Sequence, residues 1–145
     1  MSAFIQLSDY DSTIHRDILN SLLRGEADDN SRTLHDCEMQ AIIQMKSYLD
    51  KTYDVEKIFS AEGEARHKLL LMYAKDITVY HLYCTHNPFK ISKTCIDRYN
   101  AAIKFLQDVA DGAITIFGAP RLPEDQEAAN SRWQINNNEF RQTHF

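Results

Sequence analysis

Two histidines and two cysteines lie close together in the stretch HLYCTHNPFKISKTC, at His81, Cys84, His86 and Cys95. Two imidazoles and two thiolates are a ligand set of structural zinc sites. Their spacing is irregular, and both cysteines also fit the apolar stripes of helices. Because unpaired cysteines are often buried for packing alone, we interpret the four residues as helix and core positions and expect no bound metal. A small metal-dependent enzyme built on this cluster is the weaker alternative.

Motifs typical of catalysis are missing from the rest of the sequence. Serine, histidine and aspartate occur, but no Gly-x-Ser-x-Gly elbow and no glycine-rich phosphate loop is found, and the chain has only four glycines. Neighbouring carboxylates such as Asp9 and Asp11 suit a helix start, where the helix dipole favours negative charge. The sequence therefore predicts a protein that is not an enzyme and uses no cofactor.

Asp76 interrupts the most apolar segment of the chain. A buried carboxylate is costly unless it is paired and hydrogen-bonded. Arg98 is the partner that we expect, which makes the two residues a structural ion pair. An acid–base role for Asp76 is the alternative, but no second catalytic group lies near it in sequence.

The composition is that of an ordinary globular domain. Of 145 residues, 43% are hydrophobic and 26% charged, with a formal net charge of −5. An acidic chain of this kind does not suit a broad grip on nucleic-acid phosphates. The N-terminus lacks the features of a secretion signal, and no apolar run approaches the roughly 20 residues of a membrane span. Three cysteines in helix-like segments indicate reduced thiols in the cytoplasm.

The chain is predicted to be all-α, a bundle of about four helices. Apolar residues recur at spacings of three and four, and serine or threonine caps precede several of these segments. The acidic stretch GEADDNSRT is predicted to be a solvated loop, and Ile58 and Phe59 are expected to fill the core from a loop. The predicted helices run from Ser8 to Gly25, from Thr33 toward Tyr53, from Ala65 to Cys84 and from Ser92 to Gly112.

The stretch AITIF after the last helix is predicted to be one short strand. Its alternation and β-branched residues are typical of strands, yet no second strand is evident. We therefore expect it to pair with a neighbouring molecule. This divides the chain into a helical domain, 1–117, and an extended C-terminal interaction arm, 118–145. The interface residues expected on the strand and arm are Ile114, Ile116, Phe117, Arg132, Trp133, Phe140, Arg141 and Phe145.

Three blocks of the sequence resemble a known family. SYLDKTYDV, LLLMYAKDITVYHLY and RYNAAIKFLQDVADGAITI together are similar to small helical proteins encoded in Mu-like phages and prophages, next to capsid genes. The last block is the most specific, and the likeness covers roughly residues 34 to 116. That family is in turn similar to head–tail connector, or adaptor, proteins.

The resemblance implies a virion structural protein that forms a homo-oligomeric ring, usually of twelve subunits, between the portal protein and the tail or neck. Such a protein would be made in the bacterial host cytoplasm and would extend the DNA channel without sequence-specific DNA binding or membrane contact. Acidic residues suit a channel wall that repels phosphates, and Glu26, Asp28 and Asp29 are the candidate lining. A head-completion or tail-terminator protein, or a cytoplasmic helical protein-binding module, remains the alternative function.

Overall fold

The computed structural model describes residues 4–23 and 27–123, with side chains of the second helix described from Arg32 onward. This part of the chain contains no strand, only an isolated antiparallel bridge between Tyr53 and Arg121. None of its helices is long and apolar enough to span a membrane. The α-helices are α1 (Arg16–Leu22), α2 (Ala27–Leu49), α3 (Val55–Ser60), α4 (Lys68–His86) and α5 (Lys93–Ala110), and short 3₁₀ helices span Leu7–Ser12, Gly63–Ala65 and Pro88–Lys90.

Helix α4 lies at the centre of the fold, where it packs against α2, α5 and α1. Buried residues occur on several of its faces, among them Leu70, Asp76, Thr78 and Val79. A helix that is apolar nearly all round must be covered on several sides, so this placement follows from the sequence. The prediction of a mainly helical protein is confirmed.

Two of the predicted loops are helical. Ile58 and Phe59 are buried as expected, but they lie in α3 and not in a loop. Helix α2 begins at Ala27, so most of the acidic stretch forms its first turns and Thr33 lies inside the helix, not at its cap. The early aspartates Asp28 and Asp29 belong to residue types that favour a helix N-terminus, because the first turn carries partial positive charge.

The single helix predicted before Gly25 is broken into two. A 3₁₀ helix, Leu7–Ser12, precedes α1, and Ser8 does not cap either element. Instead, Asp9 accepts the backbone N–H of Gln6 at 2.7 Å, and the ring of His15 accepts that of Asp17 at 3.3 Å. Ser92 does cap α5, since its hydroxyl accepts the Cys95 N–H at 3.1 Å.

The N-terminal segment is held to the bundle by a largely buried ion pair between Asp9 and Arg66, whose side chains are 14% and 12% exposed. Arg66 also donates to the carbonyl of Phe4 at 2.8 Å, and Lys75 on α4 donates to the carbonyl of Asp9 at 3.1 Å. Burial by itself would raise the pKa of Asp9. The hydrogen bonds from Arg66 and Gln6, together with the positive charges of Arg66 and Lys75, outweigh burial and hold the pKa below its ordinary value of 3.8.

We predict that Asp9→Asn lowers the free energy of unfolding by about 1–3 kcal/mol at neutral pH, because it removes the partner of a poorly exposed arginine. The depressed pKa sets the sign of the pH dependence: the stabilisation is present above pH 3.8 and is lost as the pH falls through the lower folded-state value. Urea unfolding at neutral and acidic pH measures both effects.

Asp11→Asn is the matched control for this variant. Asp11 pairs with Arg16 at 2.8 Å, but the side chains are 54% and 40% exposed. Such an exposed pair contributes less than about 1 kcal/mol. Equal losses for the two variants would contradict a special role for Asp9.

Candidate interaction surface

The segment after α5 turns back on the helical body and does not form the predicted strand. Gly112 has a φ of 81°, and the N–H groups of Gly112 and Ala113 bond to the carbonyls of Val109 and Asp108 at 3.1 and 2.8 Å. This is a Schellman closure, in which a left-handed glycine satisfies the last helical carbonyls. It directs residues 113–117 into irregular backbone, which overrides the strand preference of the residue types.

Ile116 and Tyr53 fix this segment to the core. The Ile116 N–H donates to the Tyr53 hydroxyl at 2.7 Å, and the two residues are 5% and 1% exposed. The buried backbone donor therefore finds its partner inside its own molecule. Ile116 was expected at an interface with a neighbour, but it belongs to the core and is not available to a partner.

His67 holds the next residue. Its Nε2 lies 2.7 Å from the carbonyl oxygen of Phe117, while its Nδ1 accepts the Leu70 N–H at 3.4 Å. Both contacts suit one neutral tautomer, with the proton on Nε2. The histidine that caps α4 thus also orients the backbone at Phe117.

Residues 120–122 run antiparallel to the short connection between α2 and α3. The Asp54 N–H donates to the Pro120 carbonyl at 2.9 Å, and the Leu122 N–H donates to the Thr52 carbonyl at 3.1 Å. The Arg121 guanidinium lies 5.8 Å from the centre of the Tyr53 ring. The described start of the predicted arm therefore packs on the helical domain, and the expectation that this backbone needs a neighbour is wrong for residues up to 122.

Phe117 is the exception in this closed segment. Its side chain is 97% exposed although its backbone is held by His67, and Ile114 is 39% exposed. An exposed ring on a well-held backbone loses little freedom when it binds. Phe117 is therefore the most prominent candidate contact residue in the described segment after α5.

Phe117 stands beside a groove that we call the α3–α4 groove. It is formed by α3, the residues that lead into α4, and residues 117–120, and it has a volume of about 1040 Å³. Leu69 and the small residues Ala61 and Ala65 supply apolar surface, while Lys57 and Lys68 supply positive charge. The groove can accept a segment that carries both apolar and acidic side chains.

A second, smaller cavity of about 190 Å³ is lined by Asp76 and Arg98, together with residues of α1 and α4. Among the described residues, no ion pair within 4.0 Å joins Asp76 to Arg98; the guanidinium instead donates to the carbonyl of Thr13 at 3.1 Å. Burial raises the pKa of Asp76, and the positive charges of Arg98 and Lys75 offset this only partly. The two residues are thus neighbours in one cavity without the contact ion pair that we expected.

The structure does not arrange the four candidate ligands, His81, Cys84, His86 and Cys95, as a metal site within the described residues. His81 contacts the amide oxygen of Gln44 at 3.2 Å, and burial lowers its pKa. Cys84 is exposed, whereas Cys95 is partly buried and its pKa is raised to about 11, mainly by burial. Within the described ranges, no group of three or more histidine, cysteine or acidic side chains is arranged to hold a metal ion.

Several predicted site residues lie outside the described residues. They are Glu26, Arg132, Trp133, Phe140, Arg141 and Phe145. The backbone of Asp28 and Asp29 lies in the first turn of α2, but their side chains also fall outside the described part. Tyr53 and His67, which bond to the backbone of Ile116 and Phe117, were not predicted as site residues. Gly112, Gly118 and Pro120 are the sequence signals that could have pointed to them, because they indicate a turn of the chain back toward the helices.

The described residues thus define a small, mainly helical protein with an exposed phenylalanine ring, Phe117, on a backbone held to the helical body. The chain matches the bacteriophage Mu Gp36 family over residues 5–134 and belongs to that family. The resemblance to Mu-like phage proteins is therefore confirmed. No curated protein and no solved structure matches the chain.

We predict that Tyr53→Phe lowers the free energy of unfolding by about 1–3 kcal/mol, because it leaves the buried Ile116 N–H without an acceptor. Amide hydrogen exchange at Ile116 should accelerate more than exchange in α4. Tyr48→Phe is the control, since the half-buried Tyr48 hydroxyl makes no hydrogen bond within the described residues. Unchanged exchange at Ile116 in the Tyr53 variant would argue against this closure.

We further predict that Asp76→Asn does not destabilise the protein at neutral pH. The raised pKa means that the folded state holds the proton more tightly than the unfolded state, so the native protein loses stability as the pH rises from about 4 through the folded-state value. Unfolding free energies measured from pH 4 to 7 should fall more steeply for the native chain than for the variant.

Asp97→Asn, at an exposed position, is the control and should leave the pH dependence of the unfolding free energy unchanged. A large loss of unfolding free energy for Asp76→Asn at neutral pH would instead indicate a stabilising ion pair.

Proposed function

We propose that this protein is a virion structural protein, a head–tail connector or adaptor that forms a ring between the portal protein and the tail or neck. Membership of the bacteriophage Mu Gp36 family supports a phage role. The observation that carries the proposal is Phe117, a ring left 97% exposed on a backbone that the body holds in place. Such a residue is suited to protein contact rather than to chemistry on a small substrate.

Aromatic and arginine side chains supply much of the binding energy at protein interfaces, with about 2 kcal/mol or more lost when a central one is truncated. Phe117 is one such ring, and the sequence beyond the described residues adds Trp133, Phe140, Phe145 and two arginines. The partners that we propose are further copies of this chain, the portal protein, and tail or neck proteins. We propose a ring of twelve subunits, by likeness to connector proteins.

The acidic character of the chain fits the same role. A net charge of −5 disfavours tight association with DNA phosphates, so DNA can pass through a ring of such subunits without being held. On this proposal, the protein acts in the neck of the virion, performs no catalysis and binds no cofactor. The alternative function is that of a head-completion or tail-terminator protein, which would use the same candidate surface to contact other proteins of the virion.

We predict that Phe117→Ala, in a phage that depends on this protein, lowers the yield of joined particles at least about tenfold, because truncation of a central aromatic contact costs about 2 kcal/mol or more of binding free energy. The free energy of unfolding should change by less than about 0.5 kcal/mol, because the ring is exposed. Phe117→Leu, which keeps an apolar side chain, should retain most of the yield. Electron microscopy of lysates measures joined particles against separate heads and tails.

Removal of residues 131–145 tests the C-terminal contribution. Circular dichroism should show a folded helical protein, while heads and tails remain separate. Intact virions from this variant, or a protein located elsewhere than the neck of the native particle, would contradict the proposal. Binding of the purified protein to a regulatory host protein, but not to the portal, would favour the alternative of a helical binding module.

A further inference from the structure

The α3–α4 groove combines an apolar floor with a positive rim. Leu69, Ala61 and Ala65 supply its apolar lining, and the exposed ring of Phe117 stands at its edge. An open apolar surface of this kind marks an interaction site more often than an inert face. The groove therefore needs an occupant with apolar side chains.

Two lysines of the groove are available to an acidic partner. Lys57 makes no ion pair within the described residues, and Lys68 approaches only Glu64, at 3.8 Å, with side chains that are 84% and 96% exposed. A pair this exposed contributes little. Arg66, by contrast, is committed to Asp9. Acidic side chains of an occupant would thus be attracted by the positive charges of Lys57 and Lys68.

The chain itself contains a segment of this chemistry. Residues 124–127 read EDQE, and Trp133, Phe140 and Phe145 follow in the same tail. The acidic residues come first and the aromatic residues after them. The tail therefore carries both the negative charge and the apolar side chains that would complement the groove.

The path of the chain favours a tail from another molecule. Pro120 pairs with Asp54, next to the start of α3, whereas Leu122 pairs with Thr52, nearer the end of α2. The chain thus moves away from α3 and from the groove as it reaches Pro123. This direction favours the tail of a neighbouring copy as the occupant, and mixing two variant chains distinguishes it from the chain's own tail.

We propose that the α3–α4 groove of one copy receives residues 124–145 of a second copy, with the acidic stretch against Lys57 and Lys68 and an aromatic side chain against Leu69 and Phe117. A contact between two different surfaces of identical chains is heterologous, and a heterologous contact that closes on itself produces a ring. This inference rests on the proposed connector function and supplies the contact that joins one subunit to the next.

Trp133 is the only tryptophan of the chain, so its fluorescence reports on the tail of the intact protein. We expect its emission to move to shorter wavelength as the protein concentration rises, because the ring passes from water into an apolar groove. Lys57→Glu combined with Lys68→Glu should weaken this association about tenfold or more, through like-charge repulsion. Lys90→Glu combined with Lys93→Glu, at the opposite end of α4, is the matched control and should have no such effect.

A mixing experiment separates exchange between copies from folding within one copy. One chain carries the two groove substitutions, Lys57→Glu and Lys68→Glu, together with Trp133→Phe. The other carries Glu124→Lys, Asp125→Lys and Glu127→Lys and keeps its tryptophan. Each chain alone should associate about tenfold or more weakly than the native protein, whereas the mixture should associate readily, since the negative groove then meets a positive tail. The tryptophan emission should therefore shift only on mixing.

Three results would overturn the inference. The first is a Trp133 emission typical of a solvent-exposed ring at every protein concentration, and the second is a shifted Trp133 emission that does not depend on concentration. The third is an equal weakening of association by the control substitutions at Lys90 and Lys93. The outcomes also separate the inference from the proposed function. If the groove variants still join heads to tails, the groove contact is wrong and the connector role stands. If mixing restores association but the native protein is absent from the neck, the contact stands and the connector role is wrong.

Discussion

The hydrogen bond from the Ile116 N–H to the Tyr53 hydroxyl is the constraint on which the contact surface depends. It lies in the core, at 2.7 Å, and it anchors the segment that follows α5 to the connection between α2 and α3. Once Ile116 is fixed, the next carbonyl meets His67, and Gly118, with a φ of 79°, lets the chain turn toward Thr52. Phe117 has no place in the core on this path, so its ring must face outward.

The segment after α5 forms its hydrogen bonds within its own molecule, so its backbone does not require a neighbouring molecule. A lone strand would have required a neighbour in order to satisfy its backbone groups. In the described residues, the backbone of 113–122 instead forms hydrogen bonds within its own molecule. On the proposed function, association would rest on side chains, namely apolar contact at Phe117 and the positive charge of the lysines of the α3–α4 groove. That basis suits subunits that fold first and assemble afterwards.

Buried polar groups give the bundle its particular arrangement. The Tyr10 hydroxyl donates to Glu38 at 2.7 Å, and burial raises the pKa of that carboxyl group. Lys75, although it lies on the central helix, reaches the carbonyl of Asp9 and the hydroxyl of Ser12. Each of these bonds links the N-terminal segment to α2 or α4. The segment also packs Phe4 and Ile5 into the core, and the directional polar contacts add to that packing by restricting its position further.

The sequence by itself determined the helical class, the central position of α4 and the cap of α5 at Ser92, because apolar periodicity and capping are local properties of the chain. The sequence also indicated the phage family, mainly through the block that begins at Arg98. It did not predict the start of α2 at Ala27, since an acidic stretch suits a loop and a helix N-terminus equally well. Only the tertiary structure decided the fate of AITIF, because a β-branched stretch becomes a strand only where a partner strand is available. Here Tyr53 and His67, distant in sequence, supplied the hydrogen bonds instead, and the same long-range contacts left Phe117 outside the core.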